Sequence, residues 1–263
     1  MARPVIAMLT DFGTRDHYAG TMKGVALGIC SDVTLVDISH DIGAHDVLGG
    51  ALELAAAYRY FPVGTIFLVV IDPGVGSTRR GIAADTGDYT FVAPDNGVLT
   101  AVLDEHPAKR IVELTERKYT RPTVSRTFEG RDRFAPAAAW LAKGIDITAL
   151  GRTAGAIHRL EIPQPIVEGD SIDGQVLRVD RFGNLITNVD RRTFEKLAHG
   201  PLEIRIGNHQ VSRVVSTYAD ATAGEICALF GSTDHLEVAA NGANAAEALD
   251  LRRGAPVHVS RRA

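Results

Sequence analysis

Two uninterrupted apolar runs, residues 4–10 (PVIAMLT) and 65–71 (TIFLVVI), constrain this chain more than any other feature, and each stops at an aspartate, Asp11 and Asp72. A strand with one wet face alternates apolar and polar residues, whereas a run apolar at every position reads as a strand buried on both faces. Helical patterns follow at about Tyr18 to Ile29 and Asp46 to Tyr58, with a further strand at Thr34 to Ile38 between them. Residues 81–93 suggest a hairpin around Gly87-Asp88, and helices are expected at Val98 to Leu103 and Ala135 to Lys143. Gly20 and Gly24, on one side of the first helix, suggest close packing against a neighbour. This alternation predicts an α/β fold with a mostly parallel sheet covered by helices, in which ligands sit at the carboxyl ends of the strands.

The pattern changes where Pro163, Pro165 and Gly169 break any helix. Beyond them come short, roughly alternating segments separated by turn residues: GQVLRVD, LITNV, PLEIRIG, EICALFG, HLEVAAN and APVHVSRR. They are the signature of a small antiparallel barrel or sandwich. The expected organisation is an α/β domain over residues 1–155, a linker over 156–169 and an all-β domain over 170–263. A net charge of -4 argues against a nucleic-acid partner. With no stretch of about 20 uncharged apolar residues and no signal-peptide pattern at the start, a cytoplasmic protein without a membrane partner is expected. Cys30 and Cys227 lack CxxC spacing and read as buried free thiols. The histidines form no HExxH pair, so no metal site is expected, and neither a GxSxG elbow nor a GxGxxG fingerprint is present.

Polar clusters stand where the strands end. Asp11 closes the first strand; a carboxylate there can accept both hydroxyls of a ribose, and Asp16 and Tyr18 come back within reach after the turn, with helix capping by Asp16 as the lesser alternative. Asp72-Pro-Gly-Val-Gly-Ser-Thr-Arg79-Arg80 follows the most apolar strand. Its glycines let backbone approach a ligand, or simply make a tight turn, and Asp72 and Arg79 can pair if the loop folds back. Asp95 or Asn96 can cap the next helix. Thr127-Phe-Glu129-Gly-Arg-Asp132 is either a charged site or a solvated turn. In the second domain, Asn184 has the donor and acceptor that read an adenine edge, and Phe182 or Phe230 could stack on it; a Gly-Asn hairpin with core phenylalanines is the plainer reading.

In order, TDFGTRDHYAGTMKG, VVIDPGVGSTRR, APDNGVLT, TFEGRDRFAP, DRFGNLITN and FGSTDHLEVAANGANAA resemble the S-adenosylmethionine (SAM) hydrolases, also called SAM hydroxide adenosyltransferases, relatives of fluorinase and chlorinase. The resemblance implies an α/β amino-terminal domain with a small carboxy-terminal β-barrel, and a homotrimer with sites between subunits. It implies water attack on C5′ of SAM, giving adenosine and methionine with neither metal nor organic cofactor. By the same resemblance Asp11 holds the ribose hydroxyls, Asp16 the methionine ammonium, Phe182 and Asn184 the adenine, and Ser232 lies near the methionine end. Asp72 and Arg79 match two members of an Asp-Arg-His set that positions and activates water.

The third member departs from the family, whose TFHGRD segment carries a histidine where this chain has Glu129. A carboxylate can accept a water proton as an imidazole can, with Arg79 holding Asp72 and Glu129 apart, so Glu129 is expected in the catalytic set. Two carboxylates disfavour a halide nucleophile and hence a halogenase. The remaining alternative is a SAM or adenosine binder without turnover.

Overall fold

The computed structural model describes residues 3–197, 200 and 202–261, and the chain divides into two compact units, Met1–Glu161 and Ile162–Ala263. In the first unit the strands are β1 (Val5–Thr10), β2 (Thr34–Ser39), β3 (Ile66–Val70), β4 (Gly81–Asp85), β5 (Thr90–Pro94) and β6 (Arg110–Glu113). The helices are α1 (Tyr18–Ile29), α2 (Val47–Ala57), α3 (Thr100–Glu105) and α4 (Ala135–Ala142). The sheet runs β2-β1-β3-β5-β4-β6. Neighbours are parallel except around β4, which is antiparallel to both β5 and β6.

Both apolar runs are central strands, buried as their composition requires. Because successive side chains alternate, each strand feeds two cores. Ile6, Met8, Leu68 and Val70 face a core shared with Met22 and Ala26 of α1 and Ala138 of α4. Ala7, Leu9, Phe67 and Val69 face another, closed by Leu54 of α2 and Val102 of α3.

Two local expectations are corrected, and one strand went unpredicted. Gly20 and Gly24 lie on the exposed side of α1, where an added Cβ would meet nothing within 4 Å, and the buried side is Ala19, Met22 and Ala26. The close helix-to-sheet approach occurs instead at Gly50 of α2, where a Cβ would come 2.8 Å from Ile71 Cδ1. Neither Asp95 nor Asn96 caps α3, which starts later, at Thr100. Asn96 donates from Nδ2 to the Ile71 carbonyl (2.8 Å), and its Oδ1 accepts from the Val98 amide. Strand β6 has only two apolar residues between charged ends, too few to show in the sequence.

The second unit contains β7 (Ile166–Glu168), β8 (Ser171–Val179), β9 (Leu185–Asp190), β10 (Leu202–Ile206), β11 (His209–Val211), β12 (Ile226–Phe230), β13 (His235–Ala240) and β14 (Pro256–Arg261). Two short helices, α5 (Arg191–Glu195) and α6 (Ala245–Leu249), accompany them. The antiparallel order is β11-β10-β14-β8-β9-β13-β12, with β7 paired to β8. After β11 the chain bridges back through Val214 to Ala228 of β12, at the opposite end of that order, and so nearly closes a barrel. Cys30 and Cys227 are buried free thiols.

Phe67 is fully buried and stacks on Phe91, their ring centroids 5.1 Å apart. Phe67→Ala is expected to cost about 3–5 kcal/mol, read as a lower urea midpoint for the first unit.

Candidate active site

From β1 the sheet extends to β2 on one side and to β3 on the other, so the crevice of an open α/β sheet lies at the carboxyl ends of β1 and β3. Asp11 follows the first of these strands, and Asp72 lies two residues beyond the second. The loop after Asp72 turns twice. Val75 N–H donates to the Asp72 carbonyl at 3.2 Å and Ser77 N–H to the Gly74 carbonyl at 3.1 Å, while Ser77 Oγ accepts from the Arg79 amide. Gly76 has φ +76° and a Cβ there would lie 2.3 Å from the Arg126 carbonyl oxygen, so glycine is required for the loop to lie against the segment before Glu129.

The fold-back brings Arg79 onto Asp72 in a two-pronged pair: Nε donates to Oδ1 at 2.8 Å and Nη2 donates to Oδ2. The same Nη2 donates to Glu129 Oε2 at 2.6 Å. All three side chains are at most 10% exposed. The guanidinium carbon lies 5.0 Å from the Phe134 ring centroid. Burial works against the Arg79 charge, but the hydrogen bonds and charges of Asp72 and Glu129 outweigh it and hold its pKa above the ordinary arginine value.

Glu129 immediately precedes a single π-helical turn, Gly130–Phe134, that runs into α4. Such widened turns are frequent at functional sites. Asp132 anchors this one with its side chain fully buried, accepting from Arg131 Nε (2.7 Å), Arg131 Nη2 (2.8 Å) and the Ser125 amide (2.8 Å). Residues 127–132 are therefore not a solvated turn. Asp95 is likewise structural: it accepts from Arg80 Nε at 2.9 Å and from the His158 amide at 2.8 Å.

Asp72 and Glu129 line a cavity of about 310 Å³ together with Asp11, Tyr18, His45 and the rings of Phe12 and Phe128. Arg79 is not part of that lining. Asp72 and Glu129 thus border the cavity, while the guanidinium that binds both lies outside its lining. Asp11 Oδ2 accepts from the His45 amide at 2.8 Å, and Tyr18 meets Phe128 edge-on with centroids 5.1 Å apart. Asp16 is exposed and does not line this cavity.

The second unit has a cavity of its own, about 1010 Å³, whose lining includes Phe182, Asn184 and Ser232. Phe182 is 76% exposed, which removes it from the core. Phe230 packs edge-on against Phe194 under the Arg191 guanidinium. Asp180 organises the hairpin by accepting from the Phe182 and Asn184 amides (2.8 and 2.9 Å) and from Asn184 Nδ2 (3.0 Å). That leaves Asn184 with one amide hydrogen and its oxygen for a ligand.

Two residues lining this cavity escaped the sequence reading. Tyr218 Oη donates to Glu237 Oε1 at 2.5 Å. Burial raises the pKa of Glu237, with Asp180 adding to it against Tyr218 and Arg178, and burial together with Glu237 raises that of Tyr218. The available signal was a lone carboxylate between Leu236 and Val238 in a buried strand. Among the described residues, no group of three or more His, Cys, Asp or Glu could hold a metal ion, and no helix is long and apolar enough to cross a membrane.

An α/β unit with three aspartate and glutamate side chains lining a cavity at the sheet's switch point, joined in sequence to a nearly closed β-barrel with a cavity of its own, is a two-domain architecture. The chain belongs to the SAM hydroxide adenosyltransferase family, whose N-terminal domain model matches residues 6–151 and whose C-terminal domain model matches residues 174–258. It is 36% identical to an (R)-S-adenosyl-L-methionine hydrolase of Salinispora tropica, covering 98% of both chains. To a fluorinase of an Actinoplanes species it is 31% identical, again over 98% of both. The crystal structure of an uncharacterized conserved protein from Thermotoga maritima superposes with a TM-score of 0.92 at 35% identity, covering 97% of this chain and 100% of that one.

Asp132 supplies a pH-dependent test of the turn that carries Glu129. Burial pushes its carboxyl up, but Arg131, the Ser125 amide and Arg121 outweigh that and hold it below the ordinary aspartate value. A depressed pKa gives stability that is present above the unfolded value of about 3.9 and is lost as pH falls through the folded value. Asp132→Asn should lower the thermal midpoint at pH 7 by on the order of 5 °C, and the deficit should shrink below about pH 4.

Proposed function

We propose that this protein hydrolyses SAM to adenosine and L-methionine, with Asp72, Arg79 and Glu129 as the water-activating set. The observation that carries the reading is that Asp72 and Glu129 border one cavity while both are fixed by a single buried guanidinium. The oxygen–C5′ bond forms as the C5′–sulfur bond breaks, and its electron pair leaves with methionine. The sulfonium is already an excellent leaving group, so no acid is needed on that side. What remains is to aim a water in line and take its proton. Carboxylates in the cavity lining suit both tasks, the first by orientation and the second as general base.

The remaining roles follow the family pattern. Asp11 takes the ribose hydroxyls and Tyr18 forms the neighbouring wall. Asp16 takes the methionine ammonium, for which its exposed position leaves the carboxylate accessible. Phe182 and Asn184 take the adenine, and Ser232 the methionine end. No metal or organic cofactor enters the reaction. The protein acts as a cytoplasmic homotrimer whose sites are completed by two subunits; the division of candidate residues between two compact units, each with its own cavity, supports this. Sedimentation should give three copies, and an active monomer would remove the shared site.

Likeness to fluorinase favours one competing reading, halide transfer. Carboxylates repel a halide, and the cavity lining includes Asp11, Asp72 and Glu129 but not the Arg79 guanidinium. Chelator-treated protein given SAM and chloride or fluoride should release adenosine by chromatography; a 5′-halogenated nucleoside would select halide transfer. Binding of SAM by calorimetry without any nucleoside product would instead select a non-catalytic binder. Glu129→Gln keeps the shape of the side chain, so SAM affinity should change little while kcat falls about 100-fold or more. Parental turnover in that variant would make Glu129 a bystander.

A further inference from the structure

Glu129 is held at both of its oxygens by different arginines. Oε2 accepts from Arg79 Nη2 at 2.6 Å, while Oε1 faces Arg133 Nη2 at 3.7 Å, an ion-pair separation rather than a hydrogen bond. Arg133 lies four residues further on, within the π-helical turn. Its aliphatic stem lies against the start of β4, with Cδ 3.3 Å from where a Gly81 Cβ would stand. Its Nε is buried with no hydrogen-bond partner, and its one ion-pair partner among the described residues is Glu129.

A buried donor left unpaired is costly, so a guanidinium is not drawn into this position by hydrogen bonding. Charge accounts for it. Asp72 and Glu129 bring two negative charges to the buried cluster, and Arg79 supplies one positive charge. Arg133 supplies the second. It also acts on a degree of freedom that Arg79 leaves open: the last torsion of a glutamate is broad and roughly two-fold, so a carboxylate gripped at one oxygen can still swing its plane. A cation on the Oε1 side restricts that swing.

We propose that Arg133 is a positioning residue for the hydrolytic step, one that fixes the plane of the Glu129 carboxylate between two guanidiniums and so aims it at the attacking water. The proposal rests on the reading of Glu129 as the water's base. Misaiming the base affects the transition state and leaves SAM contacts intact, so the effect belongs in kcat rather than KM.

The test is a double-mutant cycle on the full-length protein with SAM. Arg133→Met keeps the stem against Gly81 and should lower kcat about 10-fold, with KM within about two-fold of the parent. Arg133→Lys restores a cation on the same stem length and should recover kcat to within about three-fold of the parent. In a Glu129→Gln background, Arg133→Met should cost nothing further, because the charge it aims is gone. An unchanged kcat in Arg133→Met, an equal loss in the Glu129→Gln background, or a loss that lysine does not relieve would each overturn the assignment. A crystal structure of Arg133→Met gives a readout independent of turnover. There the Glu129 carboxylate plane should be rotated or split between orientations; an unmoved carboxylate overturns the proposal even if SAM proves not to be the substrate.

Discussion

One buried guanidinium organises the first unit's cavity. Arg79 ties the loop that follows β3 to the turn that precedes α4 by bonding Asp72 with one edge and Glu129 with Nη2. Removing any partner from such a cluster leaves a charge in a poorly solvated place, which is far more damaging than the net worth of the pair suggests. The glycine at position 76, the Phe134 ring beneath the guanidinium and the buried Asp132 all serve the same end, because each fixes a segment that presents one of the charges.

The separation of duties within that cluster is what gives it chemical direction. Had Arg79 faced the cavity, the wall would offer donors and suit an anion. With Asp72 and Glu129 in the lining and Arg79 outside it, the wall carries carboxylates suited to a water from which a proton must be drawn. Where the resemblance implies a histidine this chain has Glu129, and Arg133 Nη2 stands 3.7 Å from its Oε1. In the barrel, Asp180 orders the hairpin by accepting from the Phe182 and Asn184 amides and from Asn184 Nδ2, and both residues line the cavity there.

Much of this was legible in the sequence, for identifiable reasons. Strands β1 and β3 announced themselves because a strand buried on both faces has no polar positions to confuse the pattern. The pairing of Asp72 with Arg79 was readable because both lie on one short glycine-containing loop. Glu129 came to attention through its departure from the family motif. What the sequence could not show depended on long-range approach. Gly50, rather than Gly20 or Gly24, is the close contact, and only the sheet's position decides which face of a helix is buried. Asp95 holds Arg80, 15 residues back, and the His158 amide, 63 residues on, and the second partner lies beyond any local reading. Strand β6 and the Tyr218–Glu237 pair were hidden for the same reason: their stabilisation comes from neighbours distant in sequence.

The central claim is geometric, namely that Asp72 and Glu129 address the oxygen that ends on C5′. A crystal structure of the protein with adenosine bound measures this directly, since the 5′ hydroxyl of the product carries that oxygen. The account predicts the 5′ oxygen within hydrogen-bonding distance, about 3.2 Å or less, of an Asp72 or Glu129 carboxylate oxygen, with the ribose hydroxyls on Asp11. An adenosine bound with its 5′ oxygen turned away from both carboxylates would contradict it.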